Sequence, residues 1–133
     1  MAPVKLLIKN SDLSKKITKE EVLGEKIIKD NLIIYHYLSS HGKCILSYDK
    51  SNNFIVFQRK GKIDTKFIIK TESHSSFLYE NGPLKTEIFL LGNKITRKDN
   101  LLSFNYSLYN SISDLKKSNN IINKIYISIE EIT

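Results

Sequence analysis

Apolar and polar residues alternate along this chain with a period of two, which is the signature of half-buried strands. The stretch LLSFNYSLY shows it most cleanly. Leu102, Phe104, Tyr106 and Leu108 point one way, and Ser103, Asn105 and Ser107 point the other. A first strand carries Val4, Leu6 and Ile8 on its dry face. LIIYHYLS and KCILSYD form a hairpin over residues 32 to 48, turning at Ser40-His41-Gly42. Further strands are expected over FIVFQR, over KIDTKFIIK, from Ser73 to Tyr79, over LKTEIFLL, and over the terminal IINKIYISIEE. A turn near Gly92-Asn93 sets KITR apart as a short piece, and the polar residues 110 to 120 read as a loop.

One stretch is ambiguous. In SDLSKKITKEEVLGEK, Thr18 and Glu21 have capping-box spacing, so KEEVL could start a short helix. Gly24 and the β-branched Ile27 and Ile28 favour extended chain, and a strand over residues 20 to 29 is the preferred reading.

The strands number about eight to ten and recur roughly every ten residues through short turns, which predicts neighbours in sequence to be neighbours in one sheet. The expected fold is all-β: a single antiparallel, meander-like barrel, closed because closure removes the edges that such Ile-rich strands would expose. One domain over residues 1–133 suits the length.

The hairpin over residues 54 to 70 raises a question of register. A two-residue Lys60-Gly61 turn of the primed type needs positive φ at Lys60, whereas a three-residue Arg59-Lys60-Gly61 loop needs it only at Gly61. The longer loop is expected to pair Phe57 with Ile63 and Ile55 with Thr65. It turns Val56 outward and sets Arg59 on the rim of the inner face, where it would orient an anionic ligand.

Charge changes the picture less than its size suggests. The chain carries 21 basic and 14 acidic residues, a formal charge of +7. Only Arg59 and Arg97 are arginines, and a lysine point charge cannot imitate the guanidinium fork that reads phosphates and base edges. The lysines are also dispersed at alternate positions, so nucleic acid is not the expected partner. The lone Cys44 suits a reducing compartment. MAPVKLLIKN has too short an apolar run for a signal sequence, and no segment reaches the roughly 20 apolar residues of a membrane span. A cytoplasmic location is expected, with no membrane contact.

Candidate chemistry is sparse. His36, His41 and Cys44 could meet a metal only by converging tetrahedrally at about 2.0–2.3 Å. A three-residue loop at 40–42 would set His36 and Cys44 diagonally on one face, with His41 at the tip pointing away, so no metal site is expected. Glu20-Glu21 and Glu130-Glu131 are adjacent pairs, which strands send to opposite faces. GxSxG, GxGxxG and P-loop signatures are absent. Neither an enzyme nor a cofactor protein is expected.

Several stretches together resemble the YwiB-like family of uncharacterised bacterial proteins: IIYHYLS, the Arg-Lys-Gly turn of QRKGKI followed by Phe67, Tyr79-Glu80 before a glycine turn, LKTEIFLL, NYSLY and IYISIEE. Their order matches over some four-fifths of the chain. The family's turn after the tyrosine usually reads Thr-Pro-Tyr-Gly, and here it is Asn81-Gly82-Pro83-Leu84. The resemblance implies a calycin-like, lipocalin-like barrel whose interior holds a small ligand or is filled by side chains.

The leading expectation is therefore a non-catalytic barrel taking a small apolar or amphipathic molecule in its lumen. Its candidate contacts are Arg59, Tyr106, Phe104, Phe67 and His36. The alternative is a lysine-rich nucleic-acid-binding or protein-interaction module around a side-chain-filled barrel.

Overall fold

The computed structural model describes residues 2–40, 42–61 and 64–132, apart from the side chain at position 81. Ten strands follow in chain order: β1 (Ala2–Ser11), β2 (Ile17–Lys29), β3 (Leu32–Ser39), β4 (Gly42–Asp49), β5 (Phe54–Lys60), β6 (Thr65–Lys70), β7 (Ser73–Asn81), β8 (Leu84–Lys98), β9 (Leu101–Tyr109) and β10 (Ile121–Ile132). Each pairs antiparallel with its chain neighbour except β6 with β7, and β1 also pairs with β10, so the order around the sheet is β6-β5-β4-β3-β2-β1-β10-β9-β8-β7. The all-β meander expected from the alternation is thus a nearly closed barrel.

The seam lies between β6 and β7. Among the described residues it is joined by one bridge, Asp64 to Glu80, and by the Ser75 hydroxyl donating to the Ile68 carbonyl at 3.2 Å. At one end of the seam β8 presses against β6. A Cβ on Gly92 would lie 2.9 Å from the Lys70 nitrogen and 3.0 Å from its carbonyl carbon. Only a glycine admits backbone that close.

Inward side chains fill the barrel. Leu6, Leu46, Ile55, Ile69 and Leu90 are fully buried, and the outward positions mix lysine, serine and glutamate with exposed apolar residues such as Leu23, Leu38 and Ile68.

Four expectations need correction. The strand expected over residues 20 to 29 is present, with no helix at KEEVL, but it starts earlier, at Ile17, because β1 supplies partners as far as Ser11. Residues 110 to 120 are not all loop. A short helix, α1 (Ile112–Lys117), starts at Ser111, whose hydroxyl accepts the Asp114 N–H at 3.1 Å, and it anchors through the buried Leu115. Gly92-Asn93 is a bulge within β8, where pairing steps from Gly92–Tyr106 to Lys94–Asn105, so KITR continues the same strand.

The fourth correction is the hairpin register. Phe57 pairs with Phe67, Ile55 with Ile69 and Arg59 with Thr65. Asp64 helps to hold this longer connection, its carboxylate accepting the Gly61 N–H at 3.1 Å. The expected partner Ile63 lies outside the described residues. The slip is an even number of residues, so the faces are as expected: Ile55 and Phe57 inside, Val56 outside and Arg59 at the inner rim.

Candidate functional site

The barrel opens at the end where β1 and β5 finish and β10 begins. Inner positions there turn polar. Val4, Leu6 and Ile8 are followed on the same face of β1 by Asn10, and Ile127 and Ile125 are preceded on β10 by Asn123. Asn10, Asn123, Ile125 and Ile127, with Thr18, Lys16, Arg59 and Tyr106, surround a cavity of about 310 Å³.

Its rim is an ordered loop. The Asp12 carboxylate accepts the Ser14 N–H at 2.9 Å, and the Lys15 N–H donates to the Asp12 carbonyl at 2.9 Å. Asn123 Oδ1 accepts the Leu13 N–H at 3.2 Å and ties the loop to β10. The Ser14 hydroxyl beside Asp12 holds that carboxyl below its ordinary value, so it stands ionised at the mouth.

Arg59 enters from β5, flanked in register by Cys44 and Thr65. Its guanidinium carbon lies 5.5 Å from the centroid of the Phe57 ring, a cation–π contact that fixes its height in the mouth. Its Nε is buried and has no hydrogen-bond partner among the described residues. A buried polar atom left in that state costs about 1–3 kcal/mol, and more on a charged group.

Beneath Arg59 lies an aromatic floor. Phe67 is its hub, with ring centroids 5.5 Å from Phe57, 5.0 Å from Phe77 and 5.2 Å from Tyr106, while Phe104 lies 6.4 Å from Tyr106. Burial pushes the Tyr106 phenol well above its ordinary value, with the Arg59 charge pulling the other way. Burial does the same to Tyr37, aided by its hydrogen bond with Cys44 and again opposed by Arg59. Both phenols stay neutral, so the mouth gains hydroxyl groups and no extra negative charge.

The five candidates therefore separate. Arg59 and Tyr106 line the mouth. Phe67 and Phe104 are buried in the floor. His36 is not in the lumen at all: it lies on the outer face between Glu25 and Ile45, because Ile33, Tyr35 and Tyr37 take the inner positions of β3. The β3–β4 pairing runs to Ser39–Gly42, so Cys44 pairs with Tyr37 and points inward while His36 points outward. The two do not share a face as a three-residue loop would require. Position 41 lies outside the described residues. Among those described, no group of three or more His, Cys, Asp or Glu could hold a metal ion.

The lining residues missed from the sequence were Asn10, Ser11, Asp12, Lys16, Thr18 and Asn123. Asn10 and Asn123 could have been found, since each is a polar residue continuing an inward parity.

The opposite end of the lumen is shut by a polar cluster. Glu131 accepts from Lys26 at 2.9 and 3.0 Å and from the Tyr35 hydroxyl at 2.7 Å, and Arg97 stands 3.4 Å from that hydroxyl.

No protein-family model matches this chain, and no curated protein matches it. A solved structure does match: the ywiB protein from Bacillus subtilis, with a TM-score of 0.70 at 13% sequence identity. The match covers 99% of this chain and 93% of that one. The fold is YwiB-like. At that identity the likeness speaks to architecture alone. The Gly82-Pro83 turn, where this sequence departs from the family pattern, joins β7 to β8 at the same end as the mouth. No helix among the described residues is long and apolar enough to cross a membrane.

Proposed function

We propose that this protein is a non-catalytic, calycin-like barrel of the YwiB-like family that holds a small amphipathic anion at its mouth. The carrying observation is Arg59, whose cation is set above an aromatic floor with a buried, unpartnered Nε beside an open cavity. An acceptor that draws the guanidinium slightly into the mouth satisfies Nε, and Lys16 and the Tyr106 hydroxyl stand ready as further donors. Ile125 and Ile127 give an apolar wall for the ligand's body. The rings of Phe67 and Phe104 fill the barrel below, so the ligand occupies the upper lumen and leaves the core packed.

Support for a non-catalytic role comes from the lining itself. Among the described residues it includes no histidine, and its one carboxylate, Asp12, is engaged by Ser14. No cofactor is called for by this donor set. A cytoplasmic location accords with the free, buried Cys44.

The test is a fluorescence titration with 1-anilinonaphthalene-8-sulfonate, followed by displacement with octanoate. Saturable binding that octanoate competes away, and that Arg59→Met weakens at least tenfold, supports the reading. Equal binding by the wild type and Arg59→Met overturns it.

A further inference from the structure

A second concavity, of about 390 Å³, lies on the outside of the barrel across β1, β10, β9 and β8. The strand register builds it. Outward residues line up across the sheet in two rows. One runs Ile17, Ser11, Tyr126, Asn105, Lys94, and the next runs Lys19, Lys9, Ser128, Ser103, Thr96. Short side chains in the middle form a floor of hydroxyl and amide groups, and longer ones stand around it as walls. Tyr126 is 43% exposed although it is aromatic and on a strand, so its ring is available for contact. The Lys124 ammonium lies 5.5 Å from that ring's centroid.

Charge is the second observation. Lys9 and Lys94 line the groove on opposite sides, and among the described residues no Asp or Glu lines it. The nearest outward carboxylates, Glu21 and Glu130, sit one row further along the strands, and Glu21 is already paired with Lys5 at 3.5 Å. The lysines are far apart in sequence, and it is the barrel's closure through β1 and β10 that gathers them.

We propose that this outer groove binds single-stranded nucleic acid without sequence preference, with one base stacked on Tyr126 and the flanking phosphates on Lys9, Lys94 and Lys124. Stacking on an aromatic ring combined with lysine charges along a backbone is the chemistry that captures single strands. It does not need the arginine fork that sequence readout requires, so the scarcity of arginine is no obstacle. Ser11, Ser103, Asn105 and Ser128 offer hydrogen bonds to sugar and phosphate oxygens. An acidic peptide would use the same lysines and would have no use for the exposed ring.

Fluorescence anisotropy with labelled dT12 and rU12 tests this on the full chain. At low salt both oligonucleotides bind, and the logarithm of the association constant falls with the logarithm of salt with a slope of about −2 for three phosphates. Tyr126→Ala weakens binding about 5- to 100-fold. Lys9→Gln and Lys94→Gln each reduce the slope by about 0.7. Lys29→Gln and Lys50→Gln, which make the same charge change away from the groove, leave the slope unaltered. All five positions are exposed, and circular dichroism checks that each variant is folded. Absence of binding at low salt overturns the proposal. So does binding unaffected by Tyr126→Ala, or polyglutamate competing as well as the oligonucleotides, which would mark the groove as a general polyanion or acidic-protein surface.

Discussion

The Tyr35 hydroxyl donates to the Glu131 carboxylate at 2.7 Å, joining β3 to β10 across the closed end of the barrel. The two residues are 96 positions apart in sequence. With Lys26 and Arg97 they make a partly buried cluster around one carboxylate. Burial alone would raise the Glu131 pKa, but the Lys26 and Tyr35 hydrogen bonds and the nearby charges outweigh it and hold the group below its ordinary 4.5.

A depressed carboxyl pKa gives stability that is present above the unfolded value and disappears as pH falls through the folded one. Thermal unfolding followed from pH 7 to pH 3 should therefore show the melting temperature dropping below about pH 4.5 in the wild type. In Glu131→Gln the drop should be smaller. Glu131→Ala, which strands the Lys26 ammonium and the Tyr35 hydroxyl, should cost about 2–4 kcal/mol at neutral pH.

On the alkaline side the sign reverses. Burial, together with the hydrogen bond to Glu131 and against the Arg97 charge, pushes Tyr35 up to about 12. Tyr37 and Tyr106 are raised as well. The unfolded chain gives up these protons from about pH 10 while the folded chain keeps them, so stability falls as pH rises above 10. Absorbance at 295 nm should rise in two phases, the later one coinciding with loss of far-ultraviolet circular dichroism. A single phase completed while the protein stays folded would contradict this.

Closure of the barrel rests on Gly92. A methyl group there meets the Lys70 backbone, which cannot swing aside as a side-chain tip can. Gly92→Ala should cost about 1–3 kcal/mol in urea unfolding. Gly82 has φ +61 and nothing within 4 Å of its would-be Cβ, so Gly82→Ala should cost only the backbone strain, about 1 kcal/mol.

The aromatic floor makes a contrast between two of the residues first considered for ligand contact. Phe67→Ala removes the hub of a four-ring cluster and should cost about 3–5 kcal/mol. His36→Ala, on the outer face, should stay within about 0.5 kcal/mol. Chemical denaturation of both variants separates the two roles.

The faces of the strands were legible in the sequence because a period of two is local. Val56 outside, Phe57 inside and Arg59 at the rim came from alternation joined to the choice of an odd-length loop at Gly61, and the observed connection keeps that parity. Register was not legible, because it depends on loops whose length the chain chooses by long-range fit. Phe57 meets Phe67 ten residues on, where the turn chemistry at Gly61 suggested six. A turn longer or shorter by one residue also decides whether His36 and Cys44 share a face. The bulge at Gly92-Asn93 looked like a turn because both use the same residue types. Neither concavity could be read locally: each draws on residues from both ends of the chain, brought together where β1 pairs with β10.

The central claim is that Arg59 makes the barrel mouth an anion site, and a two-dimensional NMR titration of the wild type and Arg59→Met with octanoate tests it most directly. The account predicts saturable shifts at Ile125, Ile127 and Tyr106 in the wild type, lost in Arg59→Met. It also predicts that the variant unfolds no more easily than the wild type, because it removes an unsatisfied buried donor and keeps the apolar stem. Shifts confined to the outer face, or mouth shifts that persist without the guanidinium, would contradict it.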